Sequence, residues 1–361
     1  MNVAADRIRE FLLSVLRAWG MSEAHADVTA AMMLETDLRG VDSHGISMLP
    51  TYDREHRAGR LNMRPVFKTL REAPSLALID ADASLGHPVS AHAMSLAVDK
   101  CRATGVAVVS VVNSHHFGAA GCYSKIAADR GVIGLVTSAT RGVSMVPTFA
   151  AEPVMGTNPL AFAAPARRNP PFLLDMATTT VAAGKVKVHK LNHRPLPKGW
   201  VVDGGGQPVT DAEEAFRFVF ERPEGGITPL GGTREAGGHK GYGLAVMVHV
   251  LGGVLAGASF SPLRNRTQKP SDPHNLGHFF LAIDPAAFRE AGAFEDDLDQ
   301  VIDVLHGARR ADPAQPVLVA GDPEIATRAE RLKRGVPIPD DLMVQLREVA
   351  KAAGVPFVLE R

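Results

Sequence analysis

Apolar residues recur at spacings of three and four from Ile8 through Phe11, Leu12, Val15 and Leu16 to Trp19, which predicts a helix with one apolar stripe, closed by Gly20. Ser22 offers an N-cap to a second helix that runs to about Leu38 and stops at Gly40. The polar turn Arg39-Gly-Val-Asp-Ser-His-Gly45 follows, then a mixed stretch broken by Pro50, Pro65 and Pro74. A short strand is predicted at 76–80, and a helix at 88–101 with proline in its first turn. From residue 106 the pattern changes. Residues 106–112 form a continuous β-branched run, as in a strand covered on both faces. Asn113-Ser-His-His-Phe-Gly118 breaks it, a helix runs to about Arg130, Gly131 stops that helix, and 132–136 is a second apolar strand. Strand, crossover helix and strand predict a parallel pair in an α/β layer. Further strands are expected at 160–163, 172–174 and 279–283, a glycine-rich turn at 199–206, and a loop at 264–273. An amphipathic helix at 340–353 carries Leu342, Leu346 and Val349 on one side.

Residues 241–260 contain no Asp, Glu, Lys or Arg. His249 and glycines 243, 252, 253 and 257 interrupt the run, and no second such run accompanies it. A buried core helix is therefore expected rather than a membrane span. The 361 residues suit two or three domains. Hydrophobic residues at 45% and charged residues at 22% exclude a disordered chain. Lys+Arg and Asp+Glu both number 39, so net charge gives no reason to expect a nucleic-acid or anionic-membrane partner. Two cysteines, Cys101 and Cys122, cannot build a disulfide framework or a four-thiolate zinc site. Asp6, Arg7, Arg9 and Glu10 precede only a short apolar stretch, unlike a signal peptide, so cytoplasm is the expected compartment.

Several motifs are absent. No G-x-G-x-x-G follows a strand. Ala183-Gly-Lys-Val186 lacks the earlier Gly and the Ser or Thr of a P-loop. His189 and His193 stand four apart without a third ligand, so no metal site is expected. What remains is a set of polar, glycine-bounded segments between apolar runs. Asp42-Ser43-His44-Gly45 offers a histidine able to exchange a proton near neutrality, with Ser43 and Asp42 to orient it; an exposed turn with an Asp cap is an equal reading. Ser114-His115-His116-Phe117-Gly118 ends a buried strand and leads into a helix start, where ligands and anions gather. Gly156-Thr157-Asn158-Pro159 and Asp175-Met176-Ala177-Thr178-Thr179 offer hydroxyls and N–H groups to phosphate. Asp175 suits either a ribose or a helix cap. Gly237-Gly-His-Lys-Gly-Tyr-Gly243 puts Lys240 at a helix N-terminus, which is unfavourable unless an anion binds there.

Taken together these segments resemble the type-2 malate/L-lactate dehydrogenases, a family that includes ureidoglycolate, sulfolactate and diketogulonate dehydrogenases and piperideine-carboxylate reductases. The resemblance rests on Leu38-Arg-Gly-Val-Asp-Ser-His-Gly45, Asn113-Ser-His-His-Phe-Gly-Ala-Ala-Gly121, Gly156-Thr-Asn-Pro-Leu-Ala161, Asp175-Met-Ala-Thr-Thr179 with Gly184-Lys185, Lys240-Gly-Tyr-Gly-Leu244 and Asn275-Leu-Gly-His-Phe-Phe280, in order along nearly the whole chain. It implies an α/β fold with a family-specific, non-Rossmann NAD(P)-binding domain and a helical substrate domain built from both chain ends. The expected division is 1–105 (helical and mixed, substrate and dimerisation), 106–300 (NAD(P)-binding) and 301–361 (helical, packing on the first). The implied reaction is hydride transfer between NAD or NADP and a small 2-hydroxy or 2-oxo acid carboxylate. The implied assembly is a homodimer or higher homo-oligomer. The family's proton donor/acceptor histidines fall on His44 and His116, with Ser43 expected to orient His44. Cofactor contacts fall on Thr140, Thr157, Asp175, Met176, Ala177 and Lys240, and a late Gly-acid pair on Gly321 and Asp322.

Two positions depart from the family pattern. Met48 stands where an Arg suited to the substrate carboxylate is common, so Arg54, Arg57 or another cation must replace it, or the substrate is unusual. His249 stands where an acid is usual. Two alternatives accompany the main reading: a reductase of cyclic imine acids such as piperideine- or pyrroline-2-carboxylate, and a non-catalytic nucleotide-binding homologue.

Overall fold

The computed structural model describes residues 1–360. Its first body is helical. The amphipathic α1 (Ala5–Ala18) buries Ile8, Phe11, Leu12, Val15 and Leu16 against α2 (Glu23–Leu38), α3 (Leu49–Arg57) and α12 (Asp340–Ala353). Ser22 caps α2 by accepting the His25 N–H at 3.4 Å. Strand β1 (Asn2–Val3) pairs antiparallel with β12 (Val336–Pro337), so both ends of the chain share one hydrophobic core.

The central layer is a seven-stranded sheet. Its strands are β2 (Lys68–Ala73), β3 (Leu76–Asp80), β4 (Val106–Ser114), β5 (Ile133–Ser138), β6 (Leu160–Ala164), β7 (Phe172–Met176) and β11 (Leu276–Ile283), in the order β2-β3-β4-β11-β5-β6-β7. The expected parallel pairing of the strands at 106 and 132 is corrected. β11 lies between β4 and β5 and runs antiparallel to both. An apolar strand from about 140 residues downstream takes both hydrogen-bonding edges, and local pattern cannot announce such an insertion. The one parallel pair in this sheet is β3 with β4. Helices α4 (Gly86–Thr104) and α5 (Gly121–Ala128) cover the sheet and bury Val89, Met94, Val98 and Tyr123 on it.

A smaller body joins β8 (Val201–Val202), β9 (Pro208–Val209) and β10 (Gly226–Ile227) to α6 (Ala183–Leu191) and α7 (Ala212–Phe220). The charge-free run becomes α8 (Gly238–His249) and a π-helical turn at Val250–Val254. The expectation of a fully buried helix is corrected. Gly241, Ala245, Val248, Gly252 and Gly253 face the interior, whereas Val246, Met247, Val250 and Val254 are exposed. Among the described residues no helix is long and apolar enough to cross a membrane. The short α9 (Ser261–Arg264) and a turn-rich stretch lead into β11, followed by α10 (Ala293–His306) and α11 (Asp322–Arg334), which packs on α2.

Candidate active site

The turn between α2 and α3 carries Ser43 and His44, and its shape is set from below. Asp37, on the last turn of α2 and 2% exposed, accepts the Ile46 N–H at 2.8 Å. Gly45 passes so close that a Cβ there would overlap the Asp37 carboxylate. Burial pushes the Asp37 carboxyl up to about 8, so it is mostly protonated at neutral pH. Arg331 of α11 donates to the Asp37 carbonyl at 2.6 Å and pairs with the Asp42 carboxylate. Helix α11 thus holds the turn from outside. Ser43 Oγ stands 2.7 Å from His44 Nδ1.

His116 reaches the same place from the loop after β4. The rings of His44 and His116 are half-buried, with centroids 5.5 Å apart and planes at 30°. Tyr52, wholly buried on α3, places its hydroxyl 2.6 Å from His116 Nδ1. The Gly118 N–H approaches the same nitrogen at 3.3 Å. A backbone N–H can only donate, so Nδ1 is the acceptor, the Tyr52 hydroxyl donates to it as well, and the network assigns the ring proton to Nε2. Burial raises the Tyr52 hydroxyl far above its usual range, so it stays a donor. Burial, and then the neighbouring histidines 44, 87, 115 and 278, hold His116 well below an ordinary histidine. His44 is also lowered, by burial alone.

His278 joins the strand ends beneath these groups. Its Nδ1 lies 2.8 Å from Ser138 Oγ on β5, and its Nε2 lies 2.9 Å from Ser114 Oγ on β4 and 3.2 Å from the His115 carbonyl. The β4 end leading to His116 and the β5 end leading to Thr140 are thereby tied together across β11.

Thr140 and Thr157, two of the expected cofactor residues, are each joined by hydrogen bonds to neighbouring segments. Thr140 donates from Oγ1 to Asn158 Oδ1 at 3.1 Å, and Asn158 donates from Nδ2 to the Ala245 carbonyl of α8 at 3.1 Å. A Cβ at Gly156 would overlap the Thr140 hydroxyl. The Thr157 carbonyl accepts the Thr178 N–H at 2.9 Å, which docks the segment after Met176 and Ala177 onto the Thr157 turn. Lys240 is exposed on the first turn of α8 and makes no ion pair among the described residues. Asp175 accepts the Gly121 N–H at 2.8 Å, so it caps α5. Gly321 lies against Leu173 of β7, and the Asp322 carboxylate is engaged by His306 and the Val319 N–H, each at 2.7 Å. The Thr140 and Thr178 hydroxyls are engaged within the protein, and the exposed Lys240 near the N-terminus of α8 is the group that suits an anionic dinucleotide.

Sequence reasoning missed Tyr52, Asp37, Asn158 and His278. Each acts through a partner on another element; Tyr52 and Asp37 stand in no local motif, and Asn158 and His278 lie within the Gly156–Ala161 and Asn275–Phe280 segments with nothing local to single them out. Met48 packs on the N-terminal core, so no cation occupies its place. Arg57 pairs with Asp53, and Arg54 is exposed and bonds Thr51, so neither suggested replacement turns inward freely. His249 packs edge-on against Phe260, with ring centroids 4.9 Å apart.

The structure thus gathers His44, His116 and Tyr52 at one end of a mixed sheet. The family described as malate/L-lactate dehydrogenase matches residues 3–347, and the chain belongs to it. Over 357 residues the chain is 38% identical to a malate dehydrogenase of Pyrococcus horikoshii, covering 98% of this chain and 96% of that one. It is 33% identical to an L-sulfolactate dehydrogenase of Methanocaldococcus jannaschii, covering 98% of each. The crystal structure of malate dehydrogenase from Entamoeba histolytica superposes with a TM-score of 0.92 at 30% identity, covering 99% of each chain. The protein is accordingly a dehydrogenase acting on CH–OH groups, in a family that uses nicotinamide cofactors.

Proposed function

We propose that the protein oxidises a small 2-hydroxy acid, or reduces the corresponding 2-oxo acid, with NAD or NADP. The observation that carries this reading is the His44–His116 ring pair, locked by Tyr52, in a chain of this family. The substrates named for the relatives, malate and sulfolactate, are 2-hydroxy acids with a second acid group. Thr140, Thr157, Met176, Ala177 and Lys240 would hold the dinucleotide, with Asp175 and Gly321–Asp322 shaping the β7 side. The nicotinamide, when bound, supplies the hydride chemistry.

The two histidines divide the remaining work. His116 is held neutral and presents Nε2–H, so it donates a hydrogen bond to the substrate oxygen and stabilises negative charge developing there. A neutral imidazole does not need to release a proton to do this. His44 is the milder case, lowered by burial alone, and its Nε2 takes the hydroxyl proton in oxidation or returns it in reduction. Ser43 holds the other nitrogen of that ring. Val246, Met247, Val250 and Val254 form an exposed apolar face that supports assembly as a homo-oligomer, which size-exclusion with light scattering would test.

The test is a nicotinamide-absorbance assay with malate, lactate, sulfolactate, ureidoglycolate and their oxo forms, each with NAD and NADP. Piperideine-2-carboxylate belongs in the same panel. Turnover of at least one 2-hydroxy or 2-oxo acid is expected. Turnover of the cyclic imine alone would replace this reading with the imine reductase. NADH binding without any turnover would replace it with a nucleotide-binding homologue.

A further inference from the structure

A cavity of about 270 Å³ is lined by Arg60, Arg141, Asn265, Gln268, Lys269 and His274. Arg60 follows the end of α3, Arg141 follows Thr140, and the others come from the turns between α9 and β11. Chain neighbours connect the cavity wall to the histidine site. Tyr52 and Glu55 lie one helical turn apart on α3. Tyr52 bonds His116, and Glu55 faces His115 and His274. The His115 and His274 rings stack with centroids 4.1 Å apart.

The charges in this wall do not cancel. Glu55 is taken by Arg60, whose Nη1 donates to it at 2.8 Å, while the Arg60 Nε–H goes to the Pro270 carbonyl. Arg141 donates from Nη2 to the neutral Gln268 Oε1 at 2.8 Å, and among the described residues neither Arg141 nor Lys269 makes an ion pair. The buried Arg141 Nε has no hydrogen-bond partner, and His115, 3% exposed, has none at either ring nitrogen. Burial, then the charges of Arg264 and Arg60, lower the Arg141 guanidinium below its ordinary value. Crowded cations with unspent donors are destabilising until a counter-charge arrives. A metal ion does not answer this need. Glu55, His115 and His274 do hold ligand atoms within 4.8 Å of one another, but Arg60 already occupies the carboxylate and the surrounding charge is positive.

We infer that this cavity is an oxyanion pocket that takes a carboxylate or sulfonate group of the substrate, with Arg141 as its principal ligand. A guanidinium can meet such a group with two parallel hydrogen bonds, which Met48 cannot. The inference rests on the dehydrogenase reading for the identity of the ligand, since it supplies the acid end of the molecule whose hydroxyl meets His44 and His116.

The test is calorimetric titration of malonate into the wild type and Arg141→Met, with and without saturating NADH. Saturable binding to the wild type is expected, weakened at least tenfold in the variant. With malate as substrate the variant should raise KM at least tenfold. Should Arg141→Met not fold, Lys269→Met, on an exposed turn, is expected to weaken malonate at least threefold. No saturable binding to the wild type, or affinities within threefold in wild type and variant, would overturn the pocket. The malonate measurement needs no turnover. A protein inactive on every 2-hydroxy and 2-oxo acid that binds malonate through Arg141 would remove the proposed 2-hydroxy-acid reading and keep the pocket.

Discussion

The hydroxyl of Tyr52 stands 2.6 Å from Nδ1 of His116, across 64 residues of sequence. The contact selects which ring nitrogen carries the proton. Tyr52→Phe removes the stronger of two donors and leaves a buried acceptor with the longer Gly118 N–H. Loss of a buried hydrogen bond costs roughly 1–3 kcal/mol, so kcat should fall about 5- to 150-fold. NADH affinity, read by fluorescence, should stay within twofold. An unchanged kcat would show that the tautomer is set elsewhere.

His44→Ala should lower kcat by about 10²–10⁴-fold, the usual worth of a positioned acid or base. Because burial lowers the pKa of His44, its basic form survives to more acidic pH than that of an ordinary histidine, near 6.5. In the wild type kcat for oxidation should therefore begin to fall only below about pH 6.5. The variant should lose that limb of the profile. A limb retained in His44→Ala would assign the ionisation to another group.

Asp37 offers a test of the turn beneath the histidines. Its carboxyl is raised to about 8, above the unfolded value, so the folded state binds the extra proton and stability declines as pH rises toward 8. Asp37→Asn keeps an acceptor for the Ile46 N–H without that ionisation. The difference in Tm between Asp37→Asn and the wild type should grow in favour of the variant from pH 5 to about pH 8 and level off above it. Gly45→Ala, whose methyl would overlap Asp37, should lower both Tm and kcat at every pH. A flat difference would mean that Asp37 is not protonated in the fold.

Buried neutral histidines set the acid limit. His87, His274 and His278 are each lowered to about 3, chiefly by burial. The unfolded chain binds protons at these sites from about pH 6.5 downward, and the folded chain does not. Stability from these groups is therefore present above that pH and is lost progressively as pH falls toward 3. Thermal melts should show Tm dropping between pH 6.5 and 4. His278→Asn should reduce that slope while disturbing the Ser114 and Ser138 contacts.

Helices α1 and α12 were legible from apolar spacing that repeats within a few residues, α2 from its Ser22 cap and Gly40 stop, and strands β3, β4 and β5 as short apolar runs, because backbone geometry acts on that scale. His44 and His116 were legible as polar, glycine-bounded segments after apolar runs, and the order of such segments identified the family. Strand order was not. Whether β11 inserts between β4 and β5 depends on pairings among edges far apart in the chain, which each strand satisfies equally well alone. The same separation hid Tyr52, Asp37 and Arg141. A tyrosine in a helix has no assigned partner until folding brings His116 to it, and an arginine has no excess charge to answer until Arg60 and Lys269 are gathered around one cavity. Local chemistry named the groups able to exchange a proton. Their tautomers, their lowered pKa values and the uncompensated positive wall beside them are properties of burial and proximity, which exist only once the chain has closed on itself.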